Sequence, residues 1–118
     1  MSSAEPVIAC NLDALTPSER ARRSELATDI QAHTTAPEEF ASGYRIQLPN
    51  DPALCEQALE LILLERRCCP FLSLELAFEP GEGHVYLQMG GPPAVKRFLR
   101  ESGVLGCAQP TARSSVCS

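Results

Sequence analysis

The sequence predicts one α+β domain, a two-layer sandwich in which helices cover one face of a four-stranded, largely antiparallel sheet. Segments with an apolar residue at every second position, typical of strands, alternate with segments that have the three- to four-residue spacing of helices. Two of the helical segments follow residues that cap helix N-termini. A length of 118 residues suits a single core of two layers. The predicted element order is βαβαββα.

The first strand is predicted at residues 7–12, where the alternation places Cys10 on the side that faces the core. A helix follows because Thr16 and Glu19 form a capping box around Pro17, which occupies the first helical position. This helix runs to about Ala32. Its inward residues are Leu26, Ala27 and Ile30, and its arginines, predicted to lie on a solvated face, are Arg20, Arg22 and Arg23.

Residues 40–43 are interpreted as a loop, and the alternating residues Tyr44, Ile46 and Leu48 as the second strand. Asp51 then caps a second helix that begins at Pro52 and continues to Cys68, with a broad apolar stripe along one side.

The clearest hairpin joins strands predicted at 72–78 and 84–89 through the turn at 80–83. After it, residues 90–93 (Gly-Gly-Pro-Pro) break the strand and start a short helix that ends near Gly103. Residues 1–103 are therefore predicted to form the domain, and residues 104–118, which have no periodicity, a flexible tail.

Composition narrows the function classes. A net charge of −5 argues against a nucleic-acid-binding surface, which normally shows a basic excess. Residues 1–6 lack the features of a secretory signal, and no apolar run reaches membrane-spanning length. These observations predict a cytoplasmic protein with no membrane or nucleic-acid partner. In that compartment the six cysteines are expected to be thiols or ligands and not a disulfide framework.

The most unusual segment is Cys68-Cys69-Pro70, where the second helix is forced to stop. Proline disfavours a helical conformation at the preceding residue, so Cys68 should close the helix and Cys69 should be extended. Adjacent cysteines are poorly suited to a disulfide with each other, whereas two thiolates at one corner suit a soft metal such as Hg(II), Zn(II) or Cu(I). The partial negative charge at a helix C-terminus favours a bound cation.

Two residues are predicted to complete this site. Cys10 is the best third sulfur ligand because its strand should face the helix layer, and Glu65 lies one turn before the cysteines as a ligand or proton acceptor. In a tetrahedral zinc site the sulfurs would lie about 3.5 to 4 Å apart. An alternative interpretation is that Cys68 or Cys69 is a reactive thiolate, because Arg66 and Arg67 lie within one helical turn and would lower the pKa of the thiol.

The remaining cysteines and histidines have plainer interpretations. Cys55 lies on an apolar stripe and is expected to be a small buried hydrophobe. His33 and His84 are expected at the surface or at element ends, although His84 is a candidate to approach the site. Cys107 and Cys117 fall in the predicted tail as exposed thiols or a metal-shuttling pair.

The chain resembles a family of small uncharacterised bacterial domains at three segments: Ile8-Ala9-Cys10-Asn11-Leu12, Glu65-Arg66-Arg67-Cys68-Cys69-Pro70-Phe71 and Gly91-Pro92-Pro93-Ala94-Val95-Lys96. That family has an early I-A-C-x-L strand and a later E-R/Q-x-C-C-P-F corner, and it also resembles C-terminal extensions of mercury-resistance-type (MerR) transcriptional regulators. The resemblance covers roughly residues 7 to 102 and matches Cys10, Cys68 and Cys69. The resemblance implies that this chain binds a soft metal. It does not imply DNA binding or transcriptional regulation, because this chain lacks a helix-turn-helix segment.

Three hypotheses follow. The leading one is a non-enzymatic domain that binds a thiophilic metal ion or metalloid through Cys10, Cys68 and Cys69, with Glu65 in support. The second is an enzyme that uses Cys68 or Cys69 as a redox or nucleophilic thiol. The third is a homodimerisation module in which the cysteines only fill the core and an exposed strand edge allows pairing.

Overall fold

The computed structural model of the protein describes residues 10–101. A four-stranded antiparallel sheet with the strand order β1-β2-β4-β3 carries three α-helices, which confirms the predicted α+β fold. In chain order the elements are a 3-10 helix at Leu12–Ala14, α1 at Pro17–Gln31, β1 at Glu38–Phe40, β2 at Gly43–Leu48, α2 at Pro52–Cys68, β3 at Ser73–Phe78, β4 at Val85–Gly90 and α3 at Pro93–Glu101.

The core lies on one face of the sheet. The register pairs Ile46 of β2 and Leu76 of β3 with Leu87 of β4, so alternate residues of the three strands share this face. α1 and α2 pack on one part of this face, where Leu26 and Ala58 are fully buried. α3 packs on another part. The two predicted layers are therefore observed.

Both predicted helix starts are confirmed. The Glu19 backbone N–H donates to Thr16 Oγ1 at 3.1 Å, and the Thr16 backbone N–H donates to Glu19 Oε1 at 2.9 Å, which completes the capping box. Asp51 accepts a hydrogen bond from the Leu54 backbone N–H at 3.0 Å. Because these bonds satisfy N–H groups that a helix leaves without partners, they fix where α1 and α2 begin.

The first strand of the sheet is not the predicted one. Cys10 and Asn11 are outside any strand, and Leu12 begins a 3-10 helix; residues 7–9 lie outside the described residues. The sheet still has four strands, because β1 takes the place of the predicted first strand and pairs with β2 across a tight turn. Phe40 and Gly43 belong to these two strands, so the interpretation of residues 40–43 as a loop is wrong at both positions. The observed order approximates the predicted βαβαββα.

The predicted end of the last helix at Gly103 and the predicted tail at residues 104–118 lie beyond the described part of the chain. Within residues 10–101, no helix combines the length and apolar character needed to cross a membrane.

Candidate thiol site

The site forms where α2 ends. Cys68 is the last helical residue, and the Cys69 backbone N–H still donates to the Glu65 carbonyl oxygen at 2.7 Å. Cys69 itself leaves the helical region with φ −127° and ψ 68°, as expected before Pro70. The helix therefore presents both sulfurs and the Glu65 side chain, which lies one turn earlier, at one corner.

A disulfide bond between Cys10 and Cys69 joins the N-terminal segment to this corner. The two Cα atoms are 4.5 Å apart, and the Asn11 backbone N–H donates to the Cys68 carbonyl oxygen at 2.7 Å beside the bond. The prediction that Cys10 approaches the paired cysteines is confirmed. The expectation that these cysteines are free thiols is wrong for Cys10 and Cys69, because their side chains are close enough to bond directly.

Cys68 keeps a free thiol next to the disulfide. Its Sγ lies 3.6 Å from Cys69 Sγ and donates to Glu65 Oε1 at 3.6 Å. Glu65 Oε1 is also 3.3 Å from Cys69 Sγ. Since a disulfide sulfur carries no proton, this last contact is van der Waals in the oxidised protein and becomes an S–H···O hydrogen bond after reduction. One carboxylate oxygen thus contacts both sulfurs.

The cluster is shielded from solvent. Cys68 is 0% exposed, Cys69 1% and Glu65 8%, whereas Cys10 is half-buried. Leu15 is buried against the two cysteines of the corner. A buried carboxylate is costly unless a cation accompanies it, so the partner of Glu65 is central to the site.

That partner is Arg23 of α1. One terminal nitrogen of its guanidinium group lies 3.2 Å from Glu65 Oε1 and 3.1 Å from Oε2, and only 20% of the Arg23 side chain is exposed. The prediction that all three α1 arginines are on a solvated face is therefore wrong for Arg23. A signal was present in the sequence: Arg23 lies three and four residues before Leu26 and Ala27, on the buried stripe of the helix.

The surroundings keep the Cys68 thiol protonated. Burial raises the pKa of Cys68, and the negative charge of Glu65 raises it further, against a smaller lowering by Arg23. This direction is opposite to that of an activated nucleophile. Of the two arginines expected to lower a thiol pKa, Arg67 binds Glu19 Oε2 at 2.7 Å and the Ala14 carbonyl oxygen at 3.0 Å, and Arg66 is exposed.

Other candidate residues lie elsewhere. Cys55 has a free thiol and packs against the main core, as expected for a small hydrophobe, but it is half-buried and not fully buried. His84 is exposed at the far end of the β3–β4 hairpin, where its Nδ1 lies 2.8 Å from Gln47 Nε2, so it does not approach the site. His33 is exposed just after α1. Cys107 and Cys117 lie outside the described residues.

Three potential metal-ligand atoms converge at the corner. The sulfurs of Cys10 and Cys69 and a carboxylate oxygen of Glu65 all lie within 4.8 Å of one another. Cys68 Sγ is adjacent to two of these three atoms. All four predicted site residues are thus brought together, while their role as metal ligands stays a prediction.

The fold and the site define a class: a small α+β domain with a buried thiol–disulfide cluster, supported by a carboxylate and a guanidinium. Comparison with models of protein families, with curated proteins and with solved structures gives no match for this chain.

Proposed function

We propose that the reduced form of this domain binds one thiophilic metal ion through Cys10 and Cys69, with Cys68 and Glu65 as further ligands. The observation that carries the proposal is the convergence of the Cys10 sulfur, the Cys69 sulfur and a Glu65 oxygen within 4.8 Å of one another. Ligands bound to zinc at about 2.0 to 2.3 Å are separated by roughly 3.5 to 4 Å, so only small side-chain movements are needed. The resemblance to metal-responsive regulator extensions points in the same direction.

Metal binding requires the disulfide to be opened first. Two molecules of a monothiol, or one molecule of a dithiol, supply two electrons and two protons, which convert the Cys10–Cys69 disulfide into two thiols while the reductant becomes a disulfide. The metal ion then displaces the thiol protons, because the thiolate is the ligand form. Soft sulfur ligands favour Zn(II), Cu(I) or Hg(II) over Mg(II) or Ca(II).

Arg23 supports this ligand set through charge. Three thiolates and a carboxylate around a divalent ion carry an excess of negative charge in a buried place. The guanidinium of Arg23, 3.1 Å from Glu65, offsets part of that charge.

A titration tests the proposal. The full chain, and the chain with Cys107→Ser and Cys117→Ser, are reduced, freed of reductant and titrated anaerobically with Zn(II), Cu(I) or Hg(II) while the thiolate-to-metal absorption is followed. We expect one ion per chain in both proteins. Cys10→Ser or Cys69→Ser should weaken binding at least tenfold, because each removes a sulfur ligand.

Cys55→Ser is the matched control. Cys55 is a free cysteine of α2, the helix that ends at the corner, but it lies away from the corner and packs against the main core. It should leave affinity and absorption unchanged. If the Cys10→Ser/Cys69→Ser double variant binds as tightly as the unmodified chain, the metal proposal is wrong.

A second candidate function, thiol–disulfide exchange, is favoured by the carboxylate oxygen of Glu65, which lies 3.3 Å from the Cys69 sulfur of the disulfide. An external dithiol would reduce the Cys10–Cys69 bond and become a disulfide itself, with Glu65 in place to accept a thiol proton. The rate of thiol alkylation in the reduced protein, followed against pH, tests this candidate. Fast alkylation of Cys69 or Cys10 at neutral pH supports it, and rates equal to those of Cys55 exclude it.

A further inference from the structure

A cavity of about 230 Å³ lies between α1, α2 and the core-facing side of the sheet. Nine of its twelve lining residues are apolar, among them Ile46, Leu61, Leu87 and Met89. The polar members are Arg23, Gln31 and Glu65. The cavity therefore has an apolar body, and two of its polar residues also belong to the thiol site.

The cavity is open to solvent on one side, where exposed Gln31 and half-buried Arg23 and Ala27 line it. Protein interiors otherwise pack about as densely as organic crystals, so an apolar recess of this size is a candidate ligand site. An apolar cavity of about 150 Å³ is large enough to bind benzene. A space of about 230 Å³ accommodates one substituted ring or a branched chain of similar size.

The polar side of the cavity carries an unused hydrogen-bond donor. Arg23 lines the cavity, and its Nε is the one buried side-chain nitrogen or oxygen without a hydrogen-bond partner among residues 10–101. Buried polar groups normally have partners, so Arg23, which borders the cavity, has a donor for an acceptor from outside the chain once its side chain turns towards the cavity. The charge of Arg23 is already balanced by Glu65 at 3.1 Å. A neutral acceptor therefore fits better than a carboxylate, which Glu65 would repel.

We propose that this cavity binds a small, largely apolar molecule, about the size of one substituted ring, whose neutral carbonyl or hydroxyl oxygen accepts a hydrogen bond from Arg23. The proposal goes beyond metal binding and does not depend on it. Because Arg23 and Glu65 line the cavity and Glu65 contacts both corner sulfurs, the ligand would lie one side chain away from the thiols.

The test uses two probes of nearly the same shape, acetophenone, which has the acceptor, and ethylbenzene, which lacks it. Each is titrated into the oxidised full chain in the presence of a metal chelator, and the amide chemical shifts of the cavity-lining residues are followed. We expect saturable shifts with both probes. Acetophenone should bind roughly 2- to 10-fold more tightly, which is the contribution expected of one hydrogen bond.

Two sets of variants locate the binding site. Ala27→Leu adds bulk to the cavity wall and should abolish the shifts, whereas Ala21→Leu makes the same change at an exposed position of α1 and should not alter them. Ile62→Phe fills the cavity from α2 and serves if Ala27→Leu does not fold. Arg23→Met should remove the preference for acetophenone, and the Arg23→Met/Glu65→Gln double variant repeats this test without an unpaired carboxylate.

The absence of saturable shifts for both probes would overturn the proposal. Unchanged binding in the cavity-filling variants, or a retained preference for acetophenone in both Arg23 variants, would also overturn it. Since the disulfide is intact and a chelator is present, these outcomes are independent of the metal titration.

Discussion

Glu65 connects the two corner sulfurs of the thiol site to their cation. Its carboxylate contacts the sulfurs of Cys68 and Cys69 on one side and the guanidinium of Arg23 on the other. The ion pair is largely buried, so removing one partner should leave an uncompensated charge.

The Arg23–Glu65 pair leads to the first prediction. Arg23→Met keeps most of the apolar stem but removes the cation, and we expect it to lower the free energy of unfolding by about 3 kcal/mol. The Arg23→Met/Glu65→Gln double variant should recover a large part of this loss, because the carboxylate charge is removed as well. Urea denaturation measures both effects in a double-mutant cycle.

Arg22→Met provides the matched control for this cycle. Arg22 binds Glu60 at 2.8 Å at the surface, with 42% and 44% of the two side chains exposed, so its loss should cost much less than the loss of Arg23, because solvent screens an exposed pair. If Arg23→Met costs no more than Arg22→Met, the buried pair does not stabilise the site.

Cys68 gives a second prediction at this scale. Because burial and the charge of Glu65 raise its pKa, the thiol should titrate above the ordinary value of 9.0, and Glu65→Gln should shift the titration towards lower pH. The stability that comes from the neutral thiol is present below the unfolded-state pKa and is lost as the pH rises through the folded-state pKa. The difference in 240 nm absorbance between the unmodified chain and Cys68→Ala follows the titration.

The difference in 240 nm absorbance between the unmodified chain and Cys55→Ala is the control for this experiment, because Cys55 is a cysteine of α2 that lies outside the cluster. A Cys68 midpoint below 9.0, or a Glu65→Gln variant that titrates like the unmodified chain, would contradict the prediction.

Sequence reasoning found the sulfur and carboxylate members of the site but missed their cation. Cys68, Cys69 and Glu65 are adjacent or one helical turn apart, so local geometry alone places them together. Cys10 was added on the basis of a strand in which it does not lie, and the disulfide depends on a distance that no local pattern contains. Arg23 was missed because an arginine in a charged helix segment usually points to solvent, and a buried carboxylate from α2 reverses that preference.

At the scale of elements, the starts of α1 and α2 were predictable and the edge strand β1 was not. Thr16 and Asp51 act through hydrogen bonds to residues three positions away, which a sequence displays directly. β1 has only three residues, Glu38–Phe40, and two adjacent carboxylates hide any alternation. Sequence periodicity also does not show which strands are neighbours, so the position of β1 beside β2 is known only from the structure.

The contact between the start of α1 and the end of α2 leads to a prediction about pH. Arg67 and the capping backbone N–H of Thr16 lower the pKa of Glu19 from 4.5 to about 2. A lowered folded-state pKa stabilises the protein above the unfolded-state value, and that contribution is lost as the pH falls from about 4.5 towards 2. Glu19→Gln should therefore flatten the dependence of stability on pH in this window.

Urea midpoints measured from pH 2 to pH 6 give the comparison. Glu56→Gln, at an exposed position of α2, is the control and should retain the slope of the unmodified chain. Equal slopes for Glu19→Gln and the unmodified chain would show that the contact between the helices is not formed in solution.

At the scale of the molecule, the disulfide closes a long loop. Cys10 and Cys69 are 59 residues apart, and the closed segment contains α1, β1, β2 and α2. The bond restricts the unfolded chain more than it restricts the folded one, and a loop of this length contributes about 2 to 4 kcal/mol.

Reduction should therefore lower the free energy of unfolding by about 2 to 4 kcal/mol without changing the fold. Urea denaturation with and without dithiothreitol measures the change, and circular dichroism checks that the secondary structure is retained. The Cys10→Ser/Cys69→Ser variant should not respond to the reductant. A reductant effect of the same size in that variant would assign the change to other cysteines.

The same loop has a mechanical consequence. When the chain is pulled from its two ends in a force spectrometer, the oxidised protein cannot extend the segment between Cys10 and Cys69, because the pulling force passes directly through the covalent bond. Fully unfolded oxidised molecules should thus be shorter than reduced molecules by about 20 nm, given about 3.3 to 3.6 Å for each extended residue. The redox state of a single molecule would then be readable as a length.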